Sequence, residues 1–450
     1  MSMENQIKVF SYPDGNIQRV QLVRPERWEQ LEFWKLSYEE PALKCFADIY
    51  RQYLVPACPW LFGNMVMFRL PEDVEVPFPF STDRDGRVGD KLTAAAAALR
   101  RGVRFWRGEP RFRDAQTETF WRELDSRGCI ALVRGKLPIT TIIPVGQNTG
   151  YMTRTEPEAA MKVNASFFIM DRFDCATVYD HIGTPLGLCV KDGVVSNPPL
   201  YGREALLVRP GGAVSVEPVE LGDLTMEIAG KRFIPGENAI LYTRPRRFRT
   251  PSGRGKRIVV VGCRVAAVSE GGSVEIPASG FVLCPLEECD IRPGDRVVYR
   301  GMEDVTFGIQ VGNSIVRNGE ITTRFHSRFY NIRHLEPVPY PPSLYTMDFN
   351  HARASRIALG ADGDGKPMLV WAEGAAKLGH IPGKDSRGAT LKDMGQMCAE
   401  LGMVNGVHLD GGGSAQILLK NRRSLRISDR NAEDFSEAER PVPLGLIVRE

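Results

Sequence analysis

The spacing of hydrophobic positions changes character near residue 125. Before it, residues 24–54, RPERWEQLEFWKLSYEEPALKCFADIYRQYL, carry Trp, Leu, Phe and Tyr at helical spacing, interrupted at Pro41. Residues 83–106, DRDGRVGDKLTAAAAALRRGVRFW, hold five consecutive alanines, the residue with the best helix propensity, and predict a second, close-packed helix. The stretch LPEDVEVPFPFSTD between them reads as extended and proline-rich. Nothing in residues 1–124 carries evident chemistry, so they are expected to form a smaller, partly helical accessory unit.

From residue 125 onward the pattern belongs to strands. GCIALVRGKLPITTIIPVG is rich in β-branched residues, and EALLVRPGGAVSVEPVEL (204–221) reads as a hairpin closed by Pro-Gly-Gly. KRIVVVGCRVAAVSEGGSVEIP (256–277) reads the same way, turning at Glu-Gly-Gly, and RPGDRVVYR (292–300) is a strand after a Pro-Gly turn. The clearest helix is TLKDMGQMCAELG (390–402). Thr390 and Asp393 make a capping-box start, Leu391, Met394, Cys398 and Leu401 fall on one face, and Gly402 supplies the stop. The expected fold is α+β, with a β-rich domain over 125–450.

At 450 residues the chain exceeds one ordinary core, and 43% hydrophobic with 25% charged residues is a soluble, globular composition. A formal net charge of +3 indicates no nucleic-acid field over the whole chain, although arginines cluster at 243–257 and 420–426. No signal-like segment opens the sequence and no run of 18 apolar residues occurs, so neither membrane nor secretory pathway is expected. Nine cysteines without a CxxC pair point to reduced thiols in a cytoplasmic protein.

Chemistry concentrates in VHLDGGGSAQILL (407–419). Val407 and Leu409 alternate with His408 and Asp410, as on a strand, and SAQILLK after the glycines favours another. A phosphate loop must open a helix, so strand–turn–strand argues against one. A hairpin needs two glycines at most. Three of them followed by Ser414 suggest a backbone that something approaches closely. Residue types alone leave turn and site level.

Six ordered segments add to this reading: VNASFF (163–168), TPLGLCVKDGVV (184–195), GENAILYTRP (236–245), SRIALGADGDGKPMLVWAEG (355–374), GATLKDMGQMCAELGMVNGVHLDGGGS and ERPVPLGLIV (439–448). Together they resemble the phosphodiester glycosidase family over roughly 125–450. The resemblance implies cleavage of a sugar-phosphate diester at the anomeric carbon. Such a site needs a carboxylate at the sugar carbon or its attacking water, with cationic and N–H donors on the phosphate. Asp410 is the first choice for the carboxylate. Glu373, standing where the family carries Asp-Gly, is the second. Arg356 matches the family's arginine and its fork suits phosphate. The N–H groups of Gly411, Gly412 and Gly413 and the Ser414 hydroxyl are placed for sugar hydroxyls or phosphate. His408, on the Asp410 side, is either a core histidine or a group that orients Asp410 or shuttles a proton. Asn164 is expected on substrate or on backbone beside the site.

No cofactor or metal is expected. DGDGKPMLVWAE (362–373) fails as a calcium loop at Lys366 and Pro367, and His326, His334, His351 and His380 lack zinc spacing. The implied partner is a carbohydrate or sugar phosphate, with oligomeric state open. Glycosyl transfer to another acceptor, and non-catalytic glycan binding, are the competing readings.

Overall fold

The computed structural model describes residues 3–36, 41–57, 59, 62–77, 91–146, 149–170, 175, 177–199, 203–244, 247–322, 352–375, 380–430 and 436–449. His326, His334 and His351 lie outside them.

The fold is β-rich with few helices. Two sheets position the 407–419 segment. Their strands are β1 (Glu4–Ser11), β2 (Ile17–Arg24), β3 (Glu32–Lys35), β4 (Met161–Asn164), β5 (Ser314–Arg317), β6 (Glu320–Ile321), β7 (Arg356–Asp362), β8 (Pro367–Ala372), β9 (Met403–His408), β10 (Ile417–Leu419), β11 (Arg422–Arg423) and β12 (Leu444–Val448). The larger sheet runs β1-β2-β8-β7-β9-β5-β6 and the smaller β3-β12-β4-β10-β11.

β7 and β8 sit mid-sheet, and β8 is buried at every residue. A strand covered on both faces reads as a continuous apolar run rather than an alternation, as PMLVWA does. Alternate side chains nevertheless part to two cores. Ile357, Leu359, Leu369, Trp371 and Val407 enter the principal one, whereas Ala358, Met368, Val370 and Ala372 face Met394, Met397 and Cys398 of the helix Leu391–Glu400. That helix forms as its sequence predicts. The Thr390 hydroxyl accepts from the Asp393 N–H, the Asp393 carboxylate accepts from the Thr390 N–H, and Gly402 at φ +92° follows the last turn.

Three local readings are corrected. The first half of 24–54 is no helix: Phe33 and Trp34 lie in β3, where Phe33 stacks on Phe307 at 5.2 Å, and Pro41 begins the helix Pro41–Ile49 instead of interrupting one. Proline suits that first position, where its missing N–H is not needed. Residues 256–277 turn at Gly262, with φ +58°, joining Lys256–Val261 to Arg264–Glu270 before Glu-Gly-Gly is reached. The alanine run lies in a helix, Lys91–Gly102, but Val103–Trp106 is a strand.

The sheets do not follow the boundary expected at residue 124. β2 pairs with β8 from Val20↔Ala372 to Val23↔Leu369, and β3 pairs with β12. Arg24 is ion-paired to Asp362 at 2.9 Å, and Trp28 and Trp34 enter the principal core. Residues 63–144 do gather a core of their own. There Gly63–Phe68, parallel to Leu137–Pro144, packs with Leu99, Phe120 and Trp121.

Residues 125–450 produced alone are therefore expected to aggregate or to lose cooperative unfolding in thermal melts, because β8 and β12 lose paired neighbours. A soluble fragment with one sharp transition would restore the boundary read from the sequence.

Candidate functional site

β9 belongs to one sheet and β10 to the other, and the chain crosses between them at residues 409–416. Leu409 still bonds as a strand, its N–H donating to the Ile357 carbonyl at 2.8 Å. Asp410 then donates its N–H to Ala165, just beyond β4, at 3.0 Å. Gly412 donates back to Ser355, just before β7, at 2.8 Å, and residues 412–414 close a single 3-10 turn. Asn164 spans the crossing. Its side-chain Nδ2 donates to the Asp410 carbonyl at 2.7 Å, and its Oδ1 accepts from the Gln416 N–H at 2.9 Å. The buried amide of Asn164 is thus committed to backbone, and through it the loop is held to the second sheet.

The three glycines answer three separate constraints. A Cβ on Gly411 would press against the Ser355 carbonyl oxygen at 3.0 Å. Gly412 has φ +61°, in the left-handed region that favours glycine. A side chain at Gly413 would collide with the Asp429 carboxylate and the Arg440 guanidinium. Gly413 and Ser414 are buried, whereas Asp410, Gly411 and Gly412 are partly exposed.

Around Asp410 the structure collects Ser414, Arg356 and Arg440. Burial pushes the Asp410 carboxyl up to about 6, against the opposing pull of hydrogen bonds from Ser414 and Gly411 and of the charges on Arg440 and Arg356. Arg356 is almost fully buried; its Nε donates to the Ala389 carbonyl at 3.2 Å and one terminal nitrogen to Ala352 at 2.9 Å. Arg440 was not singled out in the sequence. Its Nε and one terminal nitrogen grip a single oxygen of Asp429 at 2.9 and 2.8 Å, and its other terminal nitrogen reaches the Ser414 hydroxyl at 3.3 Å. Burial alone would lower the pKa of Arg440, but the charges of Asp429 and Asp410 outweigh it and raise it. The only sequence signal for Arg440 was its place in the ERPVPLGLIV block, and for Asp429 there was none.

Glu373 lies on the far side of β7 from Asp410, since β8 and β9 flank β7. Strand spacing puts two such backbones roughly 10 Å apart. Both oxygens of Glu373 are engaged. One accepts from Ser386 at 2.6 Å and pairs with Arg19 at 3.3 Å; the other accepts from the Arg426 N–H at 3.0 Å. His408 is fully buried, with Nδ1 2.9 Å from the Leu409 carbonyl, its ring edge-on to Phe167 and resting against Gly312. Among the described residues no group of three metal-ligating side chains occurs, no helix is long and apolar enough to cross a membrane, and the cysteines are free thiols.

Residues 262–449 match the model of the phosphodiester glycosidase family, so the resemblance read from the sequence is borne out over that segment. The segments at 163–195 and 236–245 fall outside the match. No curated protein matches the chain. Among solved structures, the chain is similar to a hypothetical protein from Synechocystis, at 16% identity and a TM-score of 0.42, covering 99% of this chain and 62% of that one. It is also similar to the zebrafish N-acetylglucosamine-1-phosphodiester alpha-N-acetylglucosaminidase catalytic domain auto-inhibited by its pro-peptide. There the identity is 11% and the TM-score 0.39, over 100% and 83% of the two chains.

The raised pKa of Asp410 has a consequence for stability with a fixed sign. The folded chain holds this proton up to about pH 6, while the unfolded chain releases it near the ordinary value of 3.8. Its contribution is therefore complete below about pH 4 and declines as pH rises towards 6. Denaturant titrations of Asp410→Asn and wild type across pH 4–7 should show the difference shifting in favour of the variant up to about pH 6, then levelling. A difference independent of pH would mean that Asp410 titrates as an ordinary carboxyl.

Proposed function

We propose that the protein hydrolyses a glycosyl phosphodiester at the anomeric carbon, with Asp410 as the carboxylate that meets the developing positive charge or its attacking water. The observation that carries this reading is the setting of Asp410 beside the buried Arg356 and the largely buried Arg440, on a loop whose backbone is clamped from both sheets. Fixed charges in a water-poor site act on a transition state without reorganising, which is where they are worth most. Phosphate leaves readily, so the reaction needs little from a strong general acid. The positive field of Arg356 and Arg440 suits the phosphate instead.

Within this reading the other side chains divide by what they touch. Ser414 hydrogen-bonds the Asp410 carboxylate and receives Arg440, so it relays the guanidinium's position to the carboxylate. Asn164 fixes the backbone carrying Asp410 and is a positioning residue. Glu373, with both oxygens held by neighbouring groups, joins β2 to the segments around Ser386 and Arg426. The partly exposed Gly411 and Gly412 are the part of the loop's backbone that a sugar can approach.

The test is release of free sugar from a panel of α- and β-linked sugar-1-phosphodiesters. Wild type should turn over at least one, and Asp410→Asn should lower kcat/KM by about 10³-fold, within the range for removing a general acid or base. The wild-type kcat/KM should rise with pH through about 6, as Asp410 ionises. Glu373→Gln should lose thermal stability more than turnover. Activity surviving in Asp410→Asn but abolished in a folded Glu373→Gln would transfer the role to Glu373. A glycoside of an added alcohol, formed in place of free sugar, would establish a transferase.

A further inference from the structure

A cavity of about 400 Å³ lies away from Asp410, and no residue of the 409–416 crossing lines it. It is walled by the segments Pro185–Gly187 and Asn197–Pro199, the turn at Leu221, and the strands Ala239–Thr243 and Gly280–Pro285. That volume falls in the range of small-molecule sites. Its walls are mainly apolar, with Pro199, Leu221, Leu241 and Phe281 prominent, and two polar groups in them stand out.

The first is Ser279. Its residue is 8% exposed and its hydroxyl has no hydrogen-bond partner among the described residues. A buried hydroxyl is ordinarily paired, so an unpaired one on a cavity wall marks a group whose partner is supplied from the cavity. The wall carrying it is rigid. The adjacent Ala278 N–H donates to Asp180 at 2.6 Å, and Asp180 is itself held by the Thr177 N–H and hydroxyl, both at 2.8 Å.

The second is Arg244. One terminal nitrogen donates to the Ile276 carbonyl at 2.6 Å, and the guanidinium lies over Phe248 at 4.3 Å. Neither contact neutralises its charge; Asp180 feels that charge, but among the described residues no carboxylate comes within ion-pair distance of it. Glu220 also lines the cavity, from a separate element, the turn at Leu221, and its negative charge repels an anionic group from that side.

The geometry points to a binding site for a small amphipathic anion, with an apolar body between Pro199, Leu221, Leu241 and Phe281, its anionic group on Arg244, and a hydrogen bond to Ser279. The site is independent of the reaction assigned to Asp410.

The probe is 1-anilinonaphthalene-8-sulfonate, an aromatic body bearing one sulfonate, followed by its fluorescence on the full chain. Saturable binding of one dye per chain is expected, displaced by octanoate and far less by octanol. Arg244→Gln should weaken binding about tenfold, as loss of a charge-assisted hydrogen bond does. Ser279→Ala should weaken octanoate displacement. Gly222→Trp places a ring at the rim, where a Cβ on Gly222 meets nothing, and should abolish binding with the melting temperature unchanged. Asp410→Asn should bind the dye as wild type does, so a failed glycosidase assay leaves this site standing. Absent or non-saturable binding would overturn the proposal. So would binding unchanged in both Arg244→Gln and Gly222→Trp, or equal displacement by octanol and octanoate.

Discussion

The structure turns on the amide of Asn164. A chain that leaves one sheet for another must interrupt two sets of backbone hydrogen bonds, and buried N–H and C=O groups left unpaired are costly. Here the break is eight residues, 409–416, and the single side chain of Asn164 satisfies a carbonyl at its start and an N–H at its end. No aliphatic residue could do either, and Asp would lack the donor. Because β4 is paired on both sides, to β10 and to β12, the amide itself is immobile. The carboxylate of Asp410 inherits that fixity.

Electrostatics then builds on the crossing. Desolvation works against the ionised form of Asp410, and two arginines, a hydroxyl and an N–H work for it. The balance leaves a carboxyl raised to about 6, well above the ordinary carboxylate value. Arg440 is itself tied to Asp429, so its charge is shared between two carboxylates. Glu373 is the contrasting case: it ends an apolar strand at a glycine as Asp410 does, yet its neighbours occupy both oxygens. Two carboxylates that look alike in the sequence are separated by what the fold brings to them.

That contrast also marks how far the sequence could be read. The helix at 391–400 was legible because its capping box and apolar face are local, written within a dozen residues. The hairpin at 204–218 was legible from its Pro-Gly-Gly turn, and the importance of the 407–419 segment from its glycines. β3 was not, since WEQLEFWK has helical spacing by accident; after a 3-10 turn at Trp28–Gln30 its last four residues become a strand by pairing with β12, four hundred positions away. The place of β2 beside β8 was equally hidden: the Gln18 side chain bonds the Glu373 carbonyl across 355 positions. Arg440 sits among prolines with nothing local to distinguish it from a surface arginine. Its partners Asp429 and Ser414 are chosen by tertiary packing alone.

The weaving of residues 3–36 into both sheets bears on why the site is stable at all. Arg356 opens β7, Ser355 lies just before it, and β12 flanks β4, so the loop around Asp410 depends on both sheets holding their relative position. β2 closes over β8 in one sheet, β3 over β12 in the other, and the short link between them carries Trp28 into the shared core. A tie between two sheets that runs through the seven residues 25–31 cannot stretch far, because an extended chain spans at most about 3.5 Å per residue. The first strands of the chain thus tie together the two sheets whose gap the glycine loop crosses.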